Sequence, residues 1–456
     1  MLSARLRWAF VAAAATILSW QLFLPPIVGL ADQGDFARVI GLFGFGPADR
    51  STEYAFVAGK YVPDKTFRLR VYEQATSEYI FTGAAVLLNK LLSKDGSLDI
   101  TVMGLVHVLA FLYAFYRLLR AIPPPLWIVA LIILTDVGYA AYWNSFYAEP
   151  ASLIFFLLLL AESIPICRTP KVSTAQAVRW FLWAFLWVLS KPVNTPEGIL
   201  LAFFAFRIFA SRRIAIAGAG LIAAAAAVNI FTVPTPNTWP TVYDQVFLAI
   251  LPESQHPAQD AHALGLPQEW LKYSGTGAWS KGNNLYQGVA SGLIGKQITN
   301  GAIARFYLAR PGRIWRHAKR ILPVAFSLRP EWCGNFERSA GLLAGARSQA
   351  FNVWAGFHEH WLTPIGKAIL IALMTAPFVC IAAWFRWPMR RRFIEFFGIL
   401  GLCCLMSFVV AICGDAWDNV KHLFLFNLLL DTWMVTGVAV LFQSARNALH
   451  SYRYNP

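Results

Sequence analysis

An all-α polytopic membrane protein with about ten transmembrane helices is the fold that this sequence predicts. Three observations predict it. The first is composition: 57% of the 456 residues are hydrophobic and 14% charged, with mean hydropathy +0.51, more apolar surface than a soluble fold of this size can hide. The second is spacing. Ten apolar segments fall at residues 8–30, 100–119, 124–143, 149–166, 175–192, 196–210, 213–232, 365–385, 393–412 and 421–442, and a helix needs roughly 20 apolar residues to cross a bilayer. The third is charge. With Arg5 and Arg7 in the cytoplasm, the turns on that side hold Arg117/Arg120, Arg168/Lys171, Arg207/Arg212/Arg213, Arg386/Arg390/Arg391/Arg392 and Arg446/Arg453. Every short turn assigned to the cytoplasm is therefore basic, as the positive-inside rule requires.

The elements follow in order. Residues 1–232 form an N-terminal module of about seven spans with a first outer loop at 31–99. The run 8–30 exceeds the roughly 7–15 apolar residues of a signal peptide, although Gly29-Leu30-Ala31 offers a small-x-small cleavage site. Segment 78–93 is apolar, but counting it as a span would put Arg117 and Arg120 outside, so it reads as an interfacial helix. Residues 233–364 form one long outer loop, Pro-, Gly-, Asn- and Gln-rich in its first half and hence irregular. Residues 365–456 form a C-terminal module of about three spans.

Acids and bases are distributed unequally. Of 24 Asp and Glu, only Asp136, Glu162, Glu395 and Asp431 fall within or beneath spans, and the rest lie outside. A transporter would instead place coupling groups near the midplane, often in two related halves, and no repeat relates the halves here. The net charge of +15 belongs to cytoplasmic turns and to anionic lipid or phosphate, and nucleic acid is not an expected partner. The six cysteines make no disulfide framework: Cys380, Cys403, Cys404 and Cys413 lie in apolar runs, Cys167 in a basic turn, and Cys333 alone in the long loop.

The outer loops carry the chemistry. The first brings Asp32, Asp35 and Arg38 in Ala31-Asp32-Gln33-Gly34-Asp35-Phe36-Ala37-Arg38, directly after the first apolar run. The second, Trp143-Asn144-Ser145-Phe146-Tyr147-Ala148-Glu149-Pro150, puts a carboxylate at a helix start, and the third sets Lys191 between helix breakers. The fifth carries Asp415, Asp418, Lys421 and His422. In the long loop, residues 301–329 are basic without an acid, and Arg313, Arg316, His317 and Arg320 share one helical face. Arginine on such a face suits bidentate contact with phosphate, or with anionic lipid headgroups generally. Each residue also has a plainer reading. Asp32 and Glu149 sit where acids cap helices, and Lys191 where a lysine snorkels. Asp415 and Asp418 read as solvated loop acids. Asp136, Asp431 and His107, ionisable groups at membrane depth, read as either functional or buried polar contacts.

Gly34-Asp35-Phe36-Ala37-Arg38-Val39, Asn144-Ser145-Phe146-Tyr147-Ala148-Glu149 and Lys421-His422, together with the topology, resemble the GT-C superfamily of integral-membrane glycosyltransferases. Within it they look like bacterial glycan-biosynthesis hexose transferases of the WsfD type. The resemblance implies a GT-C-like fold in the bacterial inner membrane with a periplasmic active site. It implies transfer of a hexose or pentose from a polyprenyl-phosphate-linked donor to a glycan or lipid-linked acceptor, with Asp35 as the catalytic carboxylate. Chemistry agrees on that role: an acceptor hydroxyl needs one base, while the phosphate leaving group needs positive charge rather than an acid. Asp32 and Glu149 are further catalytic candidates. Arg38, Lys191, Arg313, Arg316, Arg320, Lys421 and His422 are the candidates for donor phosphate. Inversion in one displacement is the expected course. The superfamily also admits a divalent cation, Mg or Mn, for which Asp32 and Asp35 offer oxygen ligands. Two other classes stay open: an O-antigen ligase or polymerase using a diphosphate-linked glycan, and a lipid or glycan flippase.

Overall fold

The computed structural model describes residues 2–52, 54–67, 74–169, 172–387 and 390–454. Helix α1 (Leu2–Leu22) ends before Pro25-Pro26. The residue ahead of a proline is pushed out of the α region, and proline has no N–H to extend the ladder. The run expected as one span over 8–30 is thus a helix followed by non-helical chain in which Val28 and Leu30 are buried.

The first outer loop holds more than an interfacial helix. Beyond short 3-10 turns at Phe36–Arg38 and Ile40–Phe43, strands β1 (Phe45–Pro47), β2 (Lys60–Pro63) and β3 (Leu98–Asp99) form an antiparallel sheet in the order β1-β2-β3. Phe45 pairs with Pro63, and Tyr61 with both Pro47 and Leu98. An all-α reading misses this sheet because its strands are too short to alternate and pair across most of the loop. Helix α2 (Glu78–Leu92) buries Phe81, Ala85 and Val86 while exposing Ile80, Leu87 and Leu91.

Helix α3 (Ile100–Ala121) is capped by Asp99, which accepts from the Thr101 N–H at 2.8 Å. The segment expected as a span over 124–143 is broken into α4 (Pro125–Leu134) and the short α5 (Val137–Ala140). The break is Asp136. One of its oxygens accepts from the N–H of Gly138 at 2.8 Å, capping α5, and the other from the N–H of Trp354 at 2.6 Å. There follow α6 (Glu149–Arg168), α7 (Thr174–Ser190, opened by a Ser173/Gln176 capping box), α8 (Thr195–Ile208) and α9 (Arg212–Thr232).

The long loop is more ordered than its composition suggests. It contains α10 (Thr235–Asp244), a π-helical turn at Gln245–Ile250, α11 (Pro257–Ala263), α12 (Leu285–Ala290), α13 (Asn300–Ala309), α14 (Pro311–Ile321) and α15 (Trp354–Phe357). Its first half has a core of its own, with Tyr243, Phe247, Trp270, Ile294 and Phe306 buried together. Those side chains are scattered among turn residues, so no sequence period announces the core. The chain closes with α16 (Gly366–Arg386), α17 (Arg391–Gly414), α18 (Asn419–His422) and α19 (Phe424–Tyr454).

Among the described residues, α3, α6, α9, α16 and α17 are long and apolar enough to cross a membrane. Helix α6 is the axis of the bundle, buried along most of its length and packed on α3, α7, α17 and α19, whereas α9 and α16 are largely uncovered. Polar side chains within this apolar assembly are paired. His107 bridges the Trp143 carbonyl and Glu78 at 2.8 Å each, and Glu78 accepts from the Ala151 N–H at 3.2 Å, joining α2, α3 and α6. Asp431 accepts from Tyr139 Oη at 2.6 Å and Trp354 Nε1 at 2.8 Å and lies 2.7 Å from His358 Nε2. His107, Asp136 and Asp431 are thus buried contacts that fasten the loops between helices to the bundle. Asp431→Ala removes the partner of buried Tyr139 and His358 and of half-buried Trp354, and a stranded buried polar group costs about 1–3 kcal/mol. Thermal unfolding in detergent should show it as markedly less stable than Asp431→Asn, which keeps an acceptor.

Candidate active site

The first outer loop presents Asp35 through a turn built by its neighbours. Asp32 Oδ1 accepts from the N–H groups of Gly34 at 2.7 Å and Phe36 at 3.1 Å. Gly34 has φ +98°, which a side chain would resist. The turn is pinned by Phe36, edge-on to Phe146 and Tyr147 at 5.6 and 4.7 Å between ring centroids. Tyr147 Oη donates to the Ala31 carbonyl at 2.9 Å and accepts from the Gln33 N–H at 3.0 Å.

Asp35 then meets the last outer loop. Its Oδ2 accepts from Lys421 Nζ at 2.5 Å and its Oδ1 lies 3.2 Å from Arg38. Lys421 also lies 3.3 Å from Asp418 and sits 5.1 Å over the Tyr147 ring. Asp35 retains 28% side-chain exposure, against 6% for Lys421 and 5% for Asp418. A second pair stands alongside: Glu149, buried in the first turn of α6, accepts from Lys191 Nζ at 2.6 Å.

The long loop forms another wall. The Gly29 and Ala31 N–H groups each donate at 2.9 Å, to the carbonyls of Asn335 and Gly334, and the Tyr54 N–H donates to the Asp32 carbonyl at 2.7 Å. A Cβ on Gly334 would stand 1.9 Å from the Ala55 carbonyl oxygen, so only glycine allows the crossing. Cys333 and Arg329 are buried here, the latter donating to the Asn335 side chain.

The electrostatics follow from these contacts. Burial opposes ionisation of Asp35, but Arg38 and Lys421 outweigh it and hold the carboxyl well below the usual range. Burial likewise works against the Lys421 ammonium, and Asp35, Asp418 and Glu149 overcome it to push its pKa up. Asp418 goes the other way, because burial raises its pKa and Lys421 and His422 compensate only in part. Burial, reinforced by Asp418, pushes the Cys333 thiol up to about 12.

The structure thus brings together Asp35, Arg38 and Lys421, with Asp32 as a turn-former and Glu149–Lys191 beside them. It does not bring in the rest of the expected set. His422 lies 3.3 Å from Asp415 instead of reaching Asp35. The basic face of α14 turns onto the loop's own acceptors. Arg313 pairs with Asp260 at 2.5 Å and donates to the carbonyls of Ile250 and Glu253. Arg316 donates to the Glu253 carbonyl at 3.0 Å, and Arg320 and His317 meet the Glu253 carboxylate at 2.6 Å each. The sequence hides this because Glu253 and Asp260 lie far upstream of an acid-free stretch. Asp418, which reads as a solvated loop acid, is buried against Lys421. Asp418 and Tyr147 are site residues that sequence reasoning missed. The i, i+3 spacing of Asp418 and Lys421 on a short helix was the one available signal.

The arrangement does not fit a divalent cation. Among the described residues no three His, Cys, Asp or Glu side chains are disposed to hold a metal. Asp35 already faces two cations, and Asp32 spends Oδ1 on backbone N–H groups.

Long apolar helices carrying a compact polar site at one end define the class, an integral membrane protein. The chain belongs to the family described as the YfdI N-terminal transmembrane domain, whose model matches residues 4–453. No curated protein matches it. Among solved structures it is similar to the Archaeoglobus fulgidus oligosaccharyltransferase AglB in complex with an inhibitory peptide and a dolichol-phosphate (13% identity, TM-score 0.37, 98% of this chain and 51% of that one). It is also similar to the apo form of the oligosaccharyltransferase from Archaeoglobus fulgidus (14% identity, TM-score 0.39, 98% and 51%). The chain spans about half the length of these structures.

The Glu149–Lys191 pair is open to a direct test. Lys191→Met leaves a buried carboxylate unpaired, at a cost of about 3–5 kcal/mol. Adding Glu149→Gln should restore most of the lost thermal stability.

Proposed function

We propose that this chain is a GT-C-type glycosyltransferase of the bacterial inner membrane, akin to glycan-biosynthesis hexose transferases. It moves a sugar from a polyprenyl-phosphate-linked donor to a glycan or lipid-linked acceptor on the periplasmic face. The observation that carries this reading is the contact of Asp35 with Lys421 and Arg38, a base and two cations in one partly exposed site where the outer loops meet. The topology that goes with it has ten crossing segments, five from the long apolar helices and five from shorter or less apolar ones.

In this reading Lys421 and Arg38 receive the donor phosphate and stabilise the charge that grows as the glycosidic bond breaks. Asp35 takes the proton of the attacking acceptor hydroxyl, and displacement proceeds once, with inversion. A carboxylate held by two cations is a weak base, but the donor's phosphate competes for those cations and raises the proton affinity of Asp35 as it binds. Lys191, held by Glu149 beside the site, adds positive field. The α14 arginines, engaged by Glu253 and Asp260, hold the long loop in shape.

Sugar transfer from a panel of synthetic polyprenyl-phosphate sugars should be lost by about 100-fold or more in Asp35→Asn with folding intact. A fully active Asp35→Asn protein that fails when Arg313, Arg316 and Arg320 are changed together would move the assignment to the ligase class. The pH profile gives a second check. The folded-state pKa of Asp35 is depressed, so the acid limb of kcat/KM should fall below an ordinary Asp pKa of about 3.9. The stability contributed by its ion pairs should be present above that value and lost as pH drops through the folded pKa.

A further inference from the structure

The pairs around Asp35 are balanced: the carboxylates of Asp35, Asp418 and Glu149 face the cations of Arg38, Lys421 and Lys191. The Asp32 carboxylate beside them is held by backbone N–H groups, so a phosphodiester donor brings one more fixed negative charge into a cluster with no spare cation. Something must compensate, because Lys421 and Asp418 are almost fully withdrawn from water and an unbalanced charge is costly there. The inner pair is almost without water to screen it, and a proton taken up from solvent can supply the compensation.

We propose that Asp418 is a positioning residue that takes up one proton from solvent when the donor phosphate engages Lys421, leaving Asp35 ionised as the base. This rests on the reading of Lys421 as the phosphate-binding group. The geometry separates the two carboxylates. Asp35 is partly exposed, and Arg38, although shared with the phosphate, stays three residues away on the same turn. Asp418 is buried, neither of its oxygens has a hydrogen-bond donor in good geometry, and Lys421 at 3.3 Å is its ion-pair partner. When phosphate draws the ammonium away, Asp418 loses its ion-pair partner in a place almost closed to water, whereas Asp35 has water and the adjacent Arg38. The groups facing Asp418 do not substitute. His422 on its own helix already pairs with Asp415, an acid that adds repulsion. Tyr142 and Tyr147, between α5 and α6, and Cys333 of the long loop are neutral and buried. Glu149 adds negative field at Lys421 but is held by Lys191. The raised pKa of Asp418 in the free protein already points the same way.

The test is calorimetric, on the full-length protein in detergent. The probe is methyl farnesyl phosphate, a diester with one fixed charge, chosen because a monoester titrates itself near pH 6 (a second pKa of about 6). Titration at one pH in two buffers of different ionisation enthalpy reads the protons exchanged. The wild type should take up about one proton per diester bound. Its dissociation constant should rise with pH by about tenfold per unit between the free-state and bound-state pKa values of Asp418. Asp418→Asn should bind without proton uptake and with a flat pH dependence, whereas a group that is merely structural would change neither. Binding by the wild type with no proton uptake, or uptake that persists in Asp418→Asn, overturns the proposal while leaving the phosphate reading intact. The wild-type pH slope decides alone if Asp418→Asn does not fold. No binding by the wild type, or undiminished binding by Lys421→Met, overturns the phosphate reading and the proposal with it.

Discussion

Lys421 stands between Asp35 of the first outer loop and Asp418 of the last, and much of the outer architecture serves to hold it there. A lysine ammonium this deeply buried persists only where carboxylates surround it, since desolvation alone would drive it neutral. Those carboxylates arrive from opposite ends of the chain, so the first loop must fold back to meet α18. The Asp32 turn, the Phe36–Tyr147 contact and the crossing of Gly334 beneath Ala55 each fix part of that path. Tyr147 is the common element. It anchors the first loop through its hydroxyl and supports the lysine with its ring face.

The same logic recurs away from the site. Asp136 and Asp431 lie at helix ends or within the apolar bundle, yet each is saturated with donors from loops that would otherwise be tethered only at their ends. The long loop is therefore a wall rather than an appendage. Its first half has a separate apolar core, α14 is clamped by Glu253 and Asp260, and its last part is stitched to the first loop by backbone hydrogen bonds. Rigidity built this way holds the backbone around a carboxylate and two cations that come from distant parts of the chain.

The charge economy of the site also bears on how it works. A base held in ion pairs is protected from adventitious protonation but is weak until those pairs are disturbed. A ligand whose phosphate competes for the cations changes that balance only when it is seated. In the proposed reaction, coupling base strength to donor occupancy would limit idle hydrolysis of an activated sugar, because the carboxylate gains proton affinity when the leaving group is in place.

The sequence by itself determined the membrane character and the approximate positions of most apolar helices. Apolar length and basic short turns act over a few positions, so they are visible in one dimension. It also marked Asp35, Arg38 and Lys421 as candidates. Only the tertiary structure decided which cations meet which acids. Lys421 reaches Asp35 across most of the chain, Arg313 and Arg320 are claimed by acids from an upstream turn, and Asp418 is buried instead of solvated. The break at Asp136 and the three-stranded sheet were hidden for the same reason: Trp354 and the paired strands come from distant sequence. Ion pairing depends on distances of a few ångströms and on exclusion of water, and neither exists until the loops have packed.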